Sequence, residues 1–312
     1  MKITVIGYGI QGRAQALNLR DSGHDVTVAN RKDRYHAAAI DDGFSVLDIK
    51  SSLIGAEVVF LLIPDAVQDE LLQEVVFPNL EKNATLVFAH GYWLTYEASN
   101  IPNSIDILMI APRFPGEQIR ETFKMGGGVP AYIDITKDST GKATETMATL
   151  VDSLGFSKGG TIKLSCKQEA EMDLFIEQFM APTFFASAET AFQVLIDNGY
   201  PSDAACLELY YSGELGAVRT MMGRNGLYKG FQDNASPTCQ YGVSSSRKIL
   251  WGNDMKEKAI SQLERIRSGK FAKELSDHKA AAKTLNDFLE SPIAKTIKET
   301  EKSVDKKIKK FL

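Results

Sequence analysis

A β-branched run at the start of the chain, Ile3–Ile6, passes directly into Gly7-Tyr8-Gly9-Ile10-Gln11-Gly12 and then into an amphipathic stretch, Arg13–Asp21. Strand, glycine turn and helix in that order leave few folds open. Gly7 permits a tight turn, Gly9 lets a ligand approach the backbone, and Gly12 allows close helix–strand packing, so that the helix N-terminus can hold a pyrophosphate. We therefore expect residues 7–12 to bind a dinucleotide; the alternative is an ordinary strand-to-helix turn.

The rest of the first half repeats the theme. Apolar runs at 26–29, 58–63, 85–88, 107–110 and 131–135 alternate with helix-length stretches, and their near-continuous apolar character suits strands buried on both faces of a parallel sheet. The fold class expected is α/β, an N-terminal Rossmann-like doubly wound parallel sheet followed by an all-α helical domain. Ser157-Lys158-Gly159-Gly160 follows a helix-like run at 140–154, and the strand pattern stops after Cys166. The boundary falls near 160–166, dividing a nucleotide-binding domain, 1–163, from a helical domain, 164–312. In the latter, residues 167–180, 183–197, 202–222 and 254–268 carry apolar positions at three- and four-residue spacing. Pro182 should kink or end a helix. Seven lysines between Lys295 and Lys310, with Glu299, Glu301 and Asp305, predict a solvated terminal helix.

Composition serves to exclude. Lys plus Arg at 36 against Asp plus Glu at 40 gives a net charge of −4, which argues against nucleic acid or an acidic membrane as partner. The three cysteines form no C-x-x-C pair and have no His arranged for zinc, so they read as reduced thiols. The chain opens on a strand with no signal-like segment, and its best apolar run, Val58–Ile63, is too short for a membrane span. A soluble, cytoplasmic protein is expected.

Two further patterns carry chemistry. Where an NAD site places an acidic residue at the end of the second strand, this chain has Asn30-Arg31-Lys32-Asp33-Arg34. Arg31, Lys32 and Arg34 suit a 2′-phosphate and predict NADP, while Asp33 leaves NAD open. On the helical half, Glu169, Asp173 and Glu177 recur every fourth residue, so three carboxylates share one helix face. Apolar Leu174, Phe175, Ile176 and Phe179 surround them. Such a face is either wet or covered by Mg²⁺ or a cationic group. Glu208 has Ser212 one turn on, so that helix offers at most one good metal ligand.

The fragments GYGIQGRAQALNLRDSG (7–23), AHGYW (89–93), APRFPG (111–116), EAEMDLFIEQ (169–178), LEL around Glu208, SPTCQYG (236–242) and GKFA (269–272) resemble ketol-acid reductoisomerase of the short, class I type over nearly the whole chain. The resemblance implies conversion of a 2-aceto-2-hydroxy acid to a 2,3-dihydroxy acid in branched-chain amino-acid synthesis, with two Mg²⁺ ions promoting an alkyl migration and NADPH delivering hydride. It further implies that His90 lies beside the nicotinamide, that Asp173 bridges both metals, and that Glu177 binds the first. Glu208 would bind the second from the other subunit of an intertwined homodimer, and Ser236 would hold the substrate carboxylate.

The departures fall in the site. Arg113 stands where the family has Lys, followed by Phe114 instead of Gly; Ser212 stands where the family has a second Glu; and Ala181-Pro182-Thr183 replaces a Gly-Gly region. Arg is a planar fork that stays charged, and a lost carboxylate weakens a site for hard dications. The expectation is therefore a reductase that keeps hydride transfer and drops migration. His90, Arg113, Asp173 and Glu177 are its catalytic candidates, and Ser236, Glu208 and Ser212 its substrate contacts. Its substrate is a small carboxylated molecule, a 2-oxo or imino acid, and Mg²⁺ is bound at one site or none. The alternatives are a full Mg²⁺-dependent reductoisomerase and a non-catalytic cofactor-binding protein. Taken singly, His90 also reads as a turn residue and Ser236 as a helix cap.

Overall fold

The structure, a computed structural model, describes residues 1–308, and the chain divides into two compact units, 1–173 and 174 onward. Lys309 and Lys310 of the charged tail lie outside the described residues.

The first unit is built on eight strands: β1 (Lys2–Ile6), β2 (Asp25–Ala29), β3 (Ser45–Leu47), β4 (Val58–Leu61), β5 (Thr85–Phe88), β6 (Asp106–Pro112), β7 (Ala131–Lys137) and β8 (Thr161–Lys163). They form one sheet in the order β3-β2-β1-β4-β5-β6-β7-β8, parallel throughout except where β7 runs antiparallel to β6. Every residue of β4 and β5 is buried, and successive side chains enter opposite faces. Phe60, Val87 and Leu108 join one core with helix α1 (Ile10–Asp21), while Val59, Leu61, Leu86 and Phe88 join another, where Trp93 stacks on Phe88 at 5.5 Å. Both faces are thus apolar, which explains the continuous runs in the sequence. Chain order reverses between β1 and β4, and a crevice opens there beyond the strand ends.

Helices α2 (Arg34–Asp41), α3 (Gly116–Lys124) and α4 (Ala143–Ser153) belong to this unit, together with short helices at Ile49–Leu53, Tyr92–Tyr96 and Phe156–Gly159, a helical run over 65–79, and the first two turns of α5 (Cys166–Asp197). The units divide inside α5, beyond the glycine segment at 157–160, because the start of α5 belongs to the sheet's core. Ala170 is fully buried, and Cys166 packs with Met109 and Ala111 of β6.

The second unit is helical, with a core of Phe192, Ala205, Cys206 and Val304. Three expectations are corrected. Of the two outcomes expected at Pro182, a kink or an end, the end is ruled out: α5 runs through it for 32 residues with one backbone donor missing. The single helix expected over 202–222 is broken at Gly213, whose φ of +83° no helix accommodates, and resumes at Glu214. By length and composition α5 could also cross a membrane, with mean hydropathy 1.2 over its most apolar stretch. The charged tail does form a helix, Pro292–Asp305.

Candidate active site

The crevice beyond β1 and β4 has a volume of about 700 Å³ and is lined by Gly7, Tyr8, Gly9, Ile10, Gln11, Arg31 and Asp33 among others. Each glycine has its own reason. Gly7 has φ +95°, and a Cβ there would lie 2.4 Å from the Leu62 carbonyl; a Cβ on Gly12 would lie 1.9 Å from the Gly7 carbonyl. A Cβ on Gly9 meets nothing within 4 Å, so the space it leaves belongs to the crevice. No side chain caps α1, and no acidic residue occupies its first turn, which leaves the helix N-terminus to an anion. Tyr8 contributes only main chain: its ring is buried, its hydroxyl donates to Asp42 at 2.8 Å, and its N–H donates to Asn30 Oδ1 at 2.9 Å.

The loop after β2 sorts its charges. Asp33 caps α2, accepting from the Tyr35 and His36 amides, and also accepts from Asn30 Nδ2 and from Arg31 Nε at 2.9 Å. Arg31, beside it, holds its carboxyl below the usual range. Arg31 faces the crevice, whereas Lys32 is exposed outside it and Arg34 stacks over the Tyr35 ring at 4.7 Å. Of the three predicted cations, Arg31 lines the crevice, paired there with Asp33.

A second cavity of about 300 Å³, lined by Gln11, His90, Arg113, Phe114, Glu169 and Asp173 among others, holds the ionisable cluster. The Arg113 guanidinium reaches both helix carboxylates: Nη1 donates to Glu169 Oε1 at 3.1 Å and Nη2 donates to Asp173 Oδ1. Its plane rests on the Tyr132 ring, 5.1 Å from the centroid. Glu169 is 1% exposed and also accepts the Gly91 amide at 2.7 Å. Gly91 must be glycine, since a Cβ would fall 2.1 Å from the Cys166 carbonyl. Burial pushes the Glu169 carboxyl above its usual range, against the opposing effect of His90, Gly91 and Arg113.

His90 Nδ1 lies 3.4 Å from Asp65 Oδ2, and Nε2 lies 3.8 Å from Glu169 and 3.7 Å from Asp173. Burial works against its charge, but the Asp65 hydrogen bond and the fields of Glu169, Asp65 and Asp173 outweigh it and push the pKa up to about 9. Nε2 is buried without a hydrogen-bond partner among the described residues, leaving a proton to offer.

His90, Arg113 and Asp173 are thus brought together as expected. Glu169, noted on the acidic face but given no role, is the buried centre of the cluster, and Asp65 and Tyr132 were missed. Nothing local marks Asp65 or Tyr132; they arrive from the end of β4 and from β7. Glu177 follows one turn after Asp173 on α5, in the helical unit. Glu208 is exposed on a turn of π-helix, Leu207–Tyr211; Ser212 is exposed and accepts from the Glu214 amide; and Ser236 caps Pro237–Leu250, accepting from the Cys239 amide at 3.2 Å. Among the described residues, the one group of three potential metal ligands is His90, Glu169 and Asp173. That set does not fit a divalent ion, because the Arg113 guanidinium already occupies an oxygen of each carboxylate.

A glycine-turn crevice at the sheet's switch point, beside a cavity holding a proton donor and a fixed cation, defines a nicotinamide-dependent oxidoreductase. Residues 1–160 match the family model described as "Acetohydroxy acid isomeroreductase, NADPH-binding domain", and residues 166–310 match "Ketol-acid reductoisomerase, C-terminal domain". The chain belongs to the ketol-acid reductoisomerase family. It is 36% identical over 291 residues to the ketol-acid reductoisomerase (NADP(+)) of Pyrobaculum calidifontis, covering 92% of this chain and 88% of that one. It is likewise 36% identical over 309 residues to that of Sulfurisphaera tokodaii, covering 98% and 90%. Among solved structures, an NADH-preferring ketol-acid reductoisomerase from an uncultured archean superposes with TM-score 0.88 at 28% identity, over 97% of this chain and 94% of that one. A pyrroline-5-carboxylate reductase from Coxiella burnetii, at TM-score 0.58 and 18% identity over 88% and 98%, shares the fold.

Proposed function

We propose that this family member is an NADPH-dependent reductase acting on the C=O or C=N of a small carboxylated substrate, a 2-oxo or imino acid, and that it has dropped the alkyl migration. The observation that carries this reading is the Arg113 guanidinium set between Glu169 and Asp173. It supplies the positive charge that the carboxylates need, in a form that cannot open a coordination site to substrate. Bound NADPH supplies the hydride. His90, held by Asp65, donates the Nε2 proton to the carbonyl oxygen or imine nitrogen as the hydride reaches carbon, leaving the alcohol or amine. Arg31 takes the 2′-phosphate, and the N-terminus of α1 takes the pyrophosphate.

The second reading, a full reductoisomerase, is favoured by the Asp173 and Glu177 pair on successive turns of α5; the family resemblance would then have Asp173 and Glu177 bind Mg²⁺, with Glu208 contributed by the other subunit of the dimer. Following NADPH oxidation with 2-acetolactate and with a panel of 2-oxo and imino acids, in Mg²⁺ and in EDTA, separates the two. Turnover of an oxo or imino acid that survives EDTA is the expected result, and Mg²⁺-dependent turnover of acetolactate would overturn it.

We also infer a soluble, cytoplasmic homodimer. Ile176, Met180 and Val194 share one face of α5 and are 51–55% exposed in the single chain, and an apolar helix face of that kind is stable when a second copy covers it. Light scattering at micromolar concentration should give twice the chain mass.

A further inference from the structure

Among the described residues, Gln11 alone lines both cavities. Its Nε2 donates to the Phe114 carbonyl at 3.0 Å, and Phe114 directly follows Arg113. Because a carbonyl can only accept, the amide orientation is set, and Gln11 Oε1 is left to accept from Gln15 Nε2 at 3.3 Å. Gln15 is fully buried and lines neither cavity, and its own Oε1 has no partner among the described residues. A buried acceptor left unpaired is costly, and Met or Leu would fill the same space without it.

The glycine turn and the Arg113 segment also touch through backbone. A Cβ on Gly116 would lie 1.9 Å from the Ile10 carbonyl, so the start of α3 rests on the turn itself. Farther along, Arg120 of α3 donates to Asn18 at 2.9 Å and pairs with Asp21, both on α1. The segment that presents Arg113 is thus seated on the helix whose open end faces the cofactor crevice.

We propose that Gln11 is a positioning residue that ties the glycine turn to the segment bearing Arg113, so that filling the crevice fixes that segment and with it the substrate cavity. Gln15 holds the Gln11 amide in the orientation the link requires. The proposal rests on the reading above that Arg113 belongs to the substrate side.

The test is hydrogen exchange over residues 113–124 with and without saturating NADP⁺, in the native protein, Gln11→Ala and Gln15→Met, the last being similar in size, apolar and remote from the cofactor. NADP⁺ should slow exchange in the native segment by about five- to tenfold, the low end of ordinary coupling between sites. With NADP⁺ raised to saturate each variant at its own measured Kd, the slowing should fall below about twofold in both. A native segment indifferent to NADP⁺, or full slowing retained in Gln11→Ala, would overturn the proposal; if Gln15→Met does not fold, Gln11→Ala decides alone. Arg113→Ala keeps the two readings apart. It should retain the slowing, and if it also retained NADPH oxidation, the functional reading would fail while the link stood.

Discussion

Replacing Arg113 by Met removes the cation between two carboxylates and keeps most of the side-chain volume. Glu169 is 1% exposed, Asp173 23% and the Arg113 side chain 33%. Breaking a fully buried ion pair costs about 3–5 kcal/mol. Here Glu169 retains the Gly91 amide and the His90 charge, and Arg113 is one-third exposed, so about 2–3 kcal/mol is expected. At roughly 2–4 °C per kcal/mol for a unit of this size, melting should fall by about 5–10 °C. The vacated notch then leaves an oxygen of each carboxylate open, the donors a hard divalent ion prefers, with only the His90 imidazole set against it. Mg²⁺ at about a hundredfold excess over its Kd should restore about 2.7 kcal/mol in the variant and little in the native protein. Calorimetry or dye-monitored melting, with and without Mg²⁺, reads both effects. An unchanged melting temperature in Arg113→Met, or equal stabilisation of both proteins by Mg²⁺, would refute the view that guanidinium and metal compete for one place.

The remaining predictions address the proton, the turn and the cofactor loop. Because the folded His90 pKa is raised to about 9, its contribution to stability is complete below about 6.5 and is lost as pH rises through 9, and the reduction rate should decline over the same upper range. His90→Gln should remove that limb of the pH–rate profile. Gly9→Ala, whose Cβ enters open space, should fold normally yet weaken NADPH binding about tenfold or more, whereas Gly12→Ala, with its Cβ 1.9 Å from the Gly7 carbonyl, should be visibly less stable on a melting curve. Arg31→Ala should cut NADPH preference over NADH by about tenfold in kcat/KM ratios, one charge-assisted contact's worth; an unaltered ratio would locate the 2′-phosphate elsewhere.

Much of this molecule was legible in advance where the signal is local. The six longer strands announce themselves as apolar runs because both faces of the sheet are covered, and the glycine turn because each glycine answers a steric demand within the strand–turn–helix unit. The short strands β3 and β8 did not, since three residues, all exposed in β8, carry no periodicity. The break at Gly213 was hidden because one glycine inside a helical pattern is tolerated elsewhere. The acidic face of α5 was visible by its spacing, along with the need for something positive against it; which cation, and which carboxylate would be buried, was not.

The chain's own text determined the sheet, the cofactor turn, the helical second half and the acidic face of α5, because each arises from residues within a few positions of one another. Only the tertiary structure decided that Arg113, from the end of β6, settles on Glu169 and Asp173, and that Asp65 holds His90 from behind. It likewise gave Asp33 to the cap of α2 while leaving it on the wall of the crevice. Those outcomes depend on which groups burial leaves without water, and a carboxylate buried beside a strand end must take the nearest cation the fold delivers.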